Sequence, residues 1–450
     1  MRVDGLDARV ISTKKWVRAK VIWWGLHSAG ERKNPLETLA KIKAEFSFIK
    51  GNYLLLVLSW ILMDFALELP AIFYGPYVIY DLQGSPVILG LIGFISLIIL
   101  ALVQFPGGYL ADKYGRKWLV STMTIGVGIA YIFFALAPTW HWILIGSMLA
   151  SFCLIYQPAL WALTGDSTTS EKRGMGFSII TLINNVATTP APIVIGIIVA
   201  VFTRPLGMRI AYGITVLGFF VAAAFRSRLK ETKQNPQKIG FRDLFQHYPS
   251  AVKESFGVWK TLPKQVLYLF VVNVLTTFAI YINWLYFSVY AVEGADSVLH
   301  ISQTDWALVN TMLFVSMLLV ALPIGKAIDR YGRKLPLVLS FLVFIPGVLL
   351  FVYGDLTKLF IAFPLMGIAQ ILFFSSFATL QMDYVTTEKR GKVVGSSNFV
   401  NNITGAVAQL VGGVLYVTSP QLPFLITPPI IAAGFVITAL LISEPKQRQQ

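Results

Sequence analysis

Apolar and polar positions do not alternate evenly along this chain. Uncharged apolar runs of about twenty residues or more follow one another, separated by short clusters of charge. As a helix, such a run crosses about 30 Å of hydrocarbon, each residue adding about 1.5 Å. Twelve runs predict membrane helices. The first six lie at roughly 52–80, 84–110, 118–137, 141–165, 175–203 and 207–225. The second six lie at roughly 265–292, 305–328, 335–353, 357–381, 392–418 and 422–443. The layout they predict is a basic N-terminal segment (1–50), a six-helix bundle (51–225), a polar linker (226–263), a second six-helix bundle (264–443) and a short tail (444–450). The fold class expected is an all-α integral membrane protein.

Composition agrees with the pattern. Of the 450 residues, 56% are apolar and 13% charged, about half the charged fraction of a soluble domain. The formal charge is nevertheless +15. Its placement explains it, because all but Arg204, Arg209 and Lys358 of the 37 Lys and Arg residues lie on one side of the predicted membrane. Basic loops stay cytoplasmic, so both termini are expected inside and the protein in the plasma membrane. Anionic lipid headgroups are natural neighbours for these residues. A nucleic-acid partner is not expected, since the basic residues flank lipid spans and carry no reading motif. The single cysteine, Cys153, excludes a disulfide framework and a Cys-based zinc site. The N-terminal segment lacks the pattern of a cleaved secretory signal. Its Trp16, Trp23 and Trp24 among basic residues suit either an interfacial helix or a basic tail.

Three separate features recur at one spacing of 217 residues. The loop Gly108–Lys117, with Asp112, Gly115 and Arg116, returns as Gly325–Lys334, with Asp329, Gly332 and Arg333. The loop from Asp166 to Gly174, with Arg173, returns as Asp383 to Gly391, with Arg390. Asn184 and Asn185 return as Asn401 and Asn402. The chain therefore reads as two parallel six-helix repeats, an architecture in which substrate sits between the halves near the midplane.

On these residues the chain resembles the major facilitator superfamily of transporters. The matching pattern, Gly-x-x-x-Asp-basic-x-Gly-Arg-basic between spans two and three, occurs in both halves, and the resemblance covers roughly 50–443. It implies alternating access, with the halves rocking about a central site. It also implies that Asp112, Arg116 and Asp166 form a charge network latching the outward-facing state, with Asp329, Arg333 and Asp383 acting likewise in the second half. Without the resemblance, the same loops suit tight turns that use glycine's backbone freedom, with basic residues holding topology.

Within the spans, two ionisable groups lie deep: Asp64 and Glu68, four residues apart and so on one helix face. A charged carboxylate near the bilayer centre costs about 2.5–3.5 kcal/mol. Taking up a proton or pairing with a cation relieves that cost, which makes the pair the candidate for proton coupling or substrate binding. Acids merely satisfied by hydrogen bonds are the plainer reading. Polar and aromatic cavity candidates are Tyr156, Gln157 and Trp161 in span four, Asn184 and Asn185 in span five, and Asn273, Tyr281, Asn283 and Trp284 in span seven. Gln370 in span ten and Asn401 and Asn402 in span eleven complete the set. The asparagines serve equally well as interhelical glue, since buried amides need partners. Aromatic rings beside an acid suit an amphipathic cation.

Two positions depart from the family's proton-driven drug exporters. Where many of these carry an arginine in span four, this chain has Ser147, and the helix-five signature Gly-Pro-x-x-Gly-Gly is only echoed in Ala191–Gly196. Pro190 and Pro192 should bend that helix. No phosphate-binding loop points to an ATP-driven pump. The four histidines show no metal-ligand spacing, no cofactor is implied, and neither an enzyme's catalytic cluster nor a channel's filter is visible. The resulting expectation is a monomeric, proton-coupled secondary transporter of a small solute, with efflux of amphipathic or cationic compounds as the leading cargo. The alternatives are a symporter or uniporter of a sugar or organic acid, or a non-transporting receptor of the same fold. Asp112→Asn should insert normally yet lose transport in a reconstituted flux assay, whereas wild-type kinetics would remove the latch.

Overall fold

The computed structural model describes residues 48–168, 173–233, 253 and 255–444. The expectations placed on the N-terminal segment, most of the linker and the end of the tail therefore lie outside the described residues. Contacts divide the chain at Gly51, and the described residues from there on belong to one unit.

That unit is helical. The first half contains α1 (Gly51–Ala71), α2 (Pro86–Tyr114), α3 (Arg116–Ala135), α4 (Trp140–Cys153), α5 (Gln157–Asp166), α6 (Arg173–Thr188) and α7 (Ala191–Ser227). The second half contains α8 (Lys264–Trp284), α9 (Gln303–Tyr331), α10 (Lys334–Val352), α11 (Leu356–Tyr384), α12 (Thr387–Thr418) and α13 (Leu422–Leu441). Among the described residues, eleven stretches can cross a membrane by length and composition, with Ile179–Ser227 counted once. Thr203, at φ 65° and ψ 162°, breaks α7 into two helices, so that stretch supplies two crossings and the total is twelve. Arg204 beside the break is held by Asp81, Nε to Oδ2 at 2.7 Å and Nη2 to Oδ1 at 3.0 Å. The expected bend at Pro190 and Pro192 is a full interruption, since α6 stops at Thr188 and α7 restarts at Ala191. α4 and α5 form one span joined by a 3-10 turn at Leu154–Tyr156. The runs expected to end spans one and seven are likewise broken, after Ala71 and Trp284.

Local chemistry sets the ends of these helices. Ser85 caps α2 by accepting the Ile88 N–H at 3.2 Å, and Pro86 follows where its missing N–H costs nothing. Ser302 and Asp355 cap α9 and α11 in the same way. The repeated loops need glycine for backbone reasons, because Gly115 and Gly332 adopt φ of 103° and 88°. Each is followed at once by a helix whose first N–H groups are captured by a distant glutamate. Glu231 accepts from Arg116 at 3.1 Å and Lys117 at 2.9 Å. Glu444 accepts from Arg333 at 2.8 Å and Lys334 at 2.9 Å. An anion at a helix N-terminus satisfies orphan donors and complements the macrodipole. The two glutamates lie 213 residues apart, so the 217-residue register hides them. Apolar clusters fill each half, and a larger one crosses between halves through Phe73, Tyr77, Tyr286, Val289 and Trp306.

Partial burial opposes ionisation of Glu231, but N–H bonds from Lys233, Arg116, Lys117 and Thr232 outweigh it, so the carboxyl titrates below its usual 4.5. A depressed carboxyl stabilises the fold above its unfolded value and loses that contribution as pH falls through the folded one. Glu231→Ala should therefore lower thermal stability at pH 7 by about 1 kcal/mol. The difference from wild type should shrink below pH 4.5, and a pH series of unfolding midpoints reads both effects.

Candidate functional site

α1 carries the candidate carboxylates, and they have different surroundings. Glu68 lines a cavity of about 410 Å³ between the two halves; Asp64, one turn away, does not line it. The N-terminal wall includes Tyr74, Tyr131, Phe134, Ser147 and Tyr212. The C-terminal wall includes Asn283, Trp284, Phe287, Trp306, Asn310, Phe341, Phe363, Gln370 and Phe373. Thirteen lining residues are aromatic, and Glu68 is the only Asp, Glu, Lys, Arg or His among them. Neither carboxylate is hydrogen-bonded among the described residues, and the buried Asp64 Oδ2 has no partner. Among the described residues, no cluster of three or more His, Cys, Asp or Glu could hold a metal.

The halves close over this cavity at the end away from the basic loops. Trp306 Nε1 donates to Ile72 O at 3.1 Å, and Tyr286 Oη donates to Pro86 O at 3.2 Å and Gln409 O at 2.9 Å. The Asp296 N–H donates to Tyr80 Oη at 3.2 Å. α2 and α12 approach closely because Gly90 faces the Gln409 carbonyl and Gly413 the Pro86 carbonyl. Towards the basic end, Gly325, Gly391 and Gly395 have open space where a side chain would stand.

Of the sequence-predicted cavity residues, Glu68, Asn283, Trp284 and Gln370 meet at this cavity. Asn283 is buried, with Nδ2 donating to Thr427 Oγ1 at 2.8 Å, so it braces α8 against α13 while bordering the space. Asn273 Nδ2 donates to Asn401 Oδ1 at 2.8 Å, pinning α8 to α12. Asn402 Nδ2 reaches Gln104 Oε1 at 3.3 Å and links the halves. Tyr281 packs against Gly405, and Trp161, 48% exposed, pairs with Trp60 at 5.4 Å between centroids. Asn184, Asn185, Gln157 and Tyr156 also lie off the cavity. Tyr156 instead lies under a guanidinium, with Arg226 Cζ 5.2 Å from its ring centroid.

Arg226 is the residue the hydropathy pattern misplaces. The uncharged run ends at residue 225, which puts Arg226 in the linker, yet α7 continues to Ser227 and Arg226 is 0% exposed. Nε donates to Ser59 Oγ at 3.1 Å and Nη1 to Thr124 Oγ1 at 2.8 Å. The aromatic wall has no signal of its own along the chain, because Tyr74, Tyr131 and Tyr212 look like any core aromatic until folding brings them together. Ser147, noted where an arginine is usual, does line the cavity.

In the repeated loops, Arg116 pairs with Asp166, and Arg333 Nε contacts Asp383 Oδ2 at 3.2 Å. Both pairs are internal to one half, so each ties a loop to the foot of α5 or α11. Arg390 has different partners, donating to Val385 O at 3.0 Å and Met382 O at 2.9 Å at the end of α11. Asp329 is exposed.

Two six-helix halves around a central cavity, crossing a membrane twelve times, define a multi-pass membrane transporter. A family model described as Major Facilitator Superfamily matches residues 56–297 and 269–450, and the chain belongs to that superfamily. A curated relative, Multidrug resistance protein 1 of Bacillus subtilis (strain 168), is 25% identical over 153 residues, 34% of this chain and 39% of that protein. The match thus spans about two fifths of that relative's length. Among solved structures, the nucleoside transporter NupG is similar at TM-score 0.64 and 18% identity, covering 88% of this chain and 100% of that one. A POT family transporter bound to 5-aminolevulinic acid gives 0.68 and 12%, covering 86% and 95%. The human organic anion transporter MFSD10 (TETRAN) gives 0.62 and 18%, covering 86% and 98%. At these identities the structures speak for the fold alone.

A Cβ at Gly90 would stand 2.5 Å from the Gln409 carbonyl oxygen, so Gly90→Val should part α2 from α12. With Cys153 replaced by Ser and Ser288→Cys as reporter in the cavity wall, the variant should react faster with an impermeant maleimide added opposite the basic loops. Unchanged reactivity would mean that this contact does not seal the cavity.

Proposed function

We propose that the protein is a proton-coupled exporter of amphipathic cations, working by alternating access between its halves. The observation that carries this reading is the cavity's composition: one carboxylate, Glu68, no cationic side chain, and a wall rich in aromatic rings. A cation over such rings gains about 0.5–2 kcal/mol as it leaves water. Glu68 adds an ion pair that low dielectric strengthens. An anionic cargo would meet no countercharge there. One carboxylate cannot hold a proton and pair with a cation at once, so loading either displaces the other. That competition favours exchange over symport and supplies the coupling.

The charge asymmetry of the loops supports basic loops in the cytoplasm and residence in the plasma membrane, with both termini inside. The present arrangement is then the inward-facing one. Arg116–Asp166 and Arg333–Asp383 stiffen the cytoplasmic loops within each half, so that the halves close over the basic end as rigid bodies. The name of the curated relative, a multidrug resistance protein, agrees with a hydrophobic, broadly shaped cargo. The monomer is the transporting unit.

Reconstitution into liposomes with an imposed pH gradient and tetraphenylphosphonium as probe tests this reading. Glu68→Gln should cut gradient-driven flux by on the order of 10–100-fold, the loss of one charge-assisted contact. Flux of the variant equal to wild type, or no response to the gradient in either protein, would overturn it.

A further inference from the structure

Two residues of the cavity wall are buried and polar yet keep an unanswered oxygen, and both stand on α8. Thr276 is 5% exposed and Asn283 0%. Thr276 Oγ1 and Asn283 Oδ1 have no hydrogen-bonding partner among the described residues, and no other buried side-chain atom left in that condition belongs to a residue lining the cavity. The two are seven residues apart, so they share one face of the helix, about 10.5 Å from each other along its axis. Thr276 is an exception in this molecule. The seven other buried threonines each donate to a backbone carbonyl three or four residues back. Near the Thr276 hydroxyl, Gly434 presents no side chain, and a Cβ there would stand 4.0 Å from Oγ1.

The amide of Asn283 can be turned only one way. Its Nδ2 donates to Ala279 O at 3.2 Å and to Thr427 Oγ1 at 2.8 Å. A carbonyl cannot donate, and the single Thr427 hydroxyl proton goes to Ala279 O at 3.0 Å or Pro423 O at 3.1 Å. Both partners therefore require the NH2 group, and Oδ1 is the acceptor left over. A buried acceptor without a donor carries a desolvation cost that an incoming N–H or O–H removes.

We propose that Thr276 and Asn283 form a hydrogen-bond-accepting subsite on the C-terminal wall, and that the cargo carries an N–H or O–H donor besides its positive charge. This rests on the cationic cargo proposed above and narrows it to donor-bearing cations. Glu68 on the N-terminal wall answers the charge, and the α8 oxygens answer the donor. A threonine hydroxyl accepts as well as donates and an amide oxygen only accepts, so one kind of cargo group suits both. Aromatic rings and a carboxylate attract any lipophilic cation of the right size. The α8 oxygens discriminate, because a cation without a donor leaves them unanswered.

Calorimetric titration of the purified full-length protein in detergent, without a pH gradient, tests the subsite. The probes are tetraphenylphosphonium and (para-aminophenyl)triphenylphosphonium, which share charge and rings and differ by one NH2 group. The amino compound should bind about 2–10-fold tighter, the worth of one neutral hydrogen bond. The ratio of the two affinities is the readout, so a general loss of binding cancels. It should fall towards one in Thr276→Val, in Asn283→Leu/Thr427→Val, or in both. The second variant removes both members of the brace, so that neither polar group is left stranded. Should it fail to accumulate, Thr276→Val decides alone, being close to isosteric and breaking no bond. A ratio of one in wild type, as trapped water satisfying the two oxygens would give, overturns the subsite, and so does a ratio unchanged in the variants. Binding of neither probe would count against the cationic cargo and take the subsite with it, whereas equal binding of both overturns the subsite alone.

Discussion

Hydrocarbon gives a polar atom no partner, so each polar group placed in it must be answered from within the molecule or be left exposed at an energetic cost. Backbone groups meet that demand by coiling into helices. Side chains meet it in pairs: Arg204 with Asp81, Asn273 with Asn401, Asn283 with Thr427, and Arg226 with two hydroxyls and a ring. Against that background, Glu68 borders the cavity without a hydrogen bond among the described residues. Its unmet demand is what a proton or a cationic cargo can satisfy.

The same constraint explains why the closing contacts are made largely by backbone carbonyls. Tyr286 and Trp306 donate to carbonyls across the junction between halves, and glycines let α2 and α12 approach. Contacts of this kind can be released without stranding a charge, which suits a junction that must open. Permanent fastenings lie elsewhere and are duplicated. In each half an arginine of the loop meets an aspartate, and a glutamate from the far end of that half captures the N-terminus of α3 or α10. The loops are thereby made rigid extensions of their own half.

Much of this was legible in one dimension. Spans follow from runs of uncharged residues, and the two halves follow from the 217-residue register of Asp112 with Asp329 and Arg173 with Arg390. The glycine turns at Gly115 and Gly332 follow from the motif. The carboxylates on α1 were visible because charge is rare in such helices. Arg226 was not, since hydropathy scores a cation at the end of a run as the start of a loop, and only packing shows it turned inward. Glu231 and Glu444 were hidden because they break the register by four residues and act on helices far away in the chain.

How often the chain crosses the membrane, how it is repeated, where its positive charge lies and which span carries acids can all be read from the residues in order. Each of these depends on local composition or on spacing along the chain. Packing alone places Glu68 at the cavity and Asp64 off it, and makes Asn273, Asn401 and Asn402 fasteners rather than cavity lining. Those outcomes depend on how helices rotate and pack against one another, and residues more than a hundred positions apart set that geometry together.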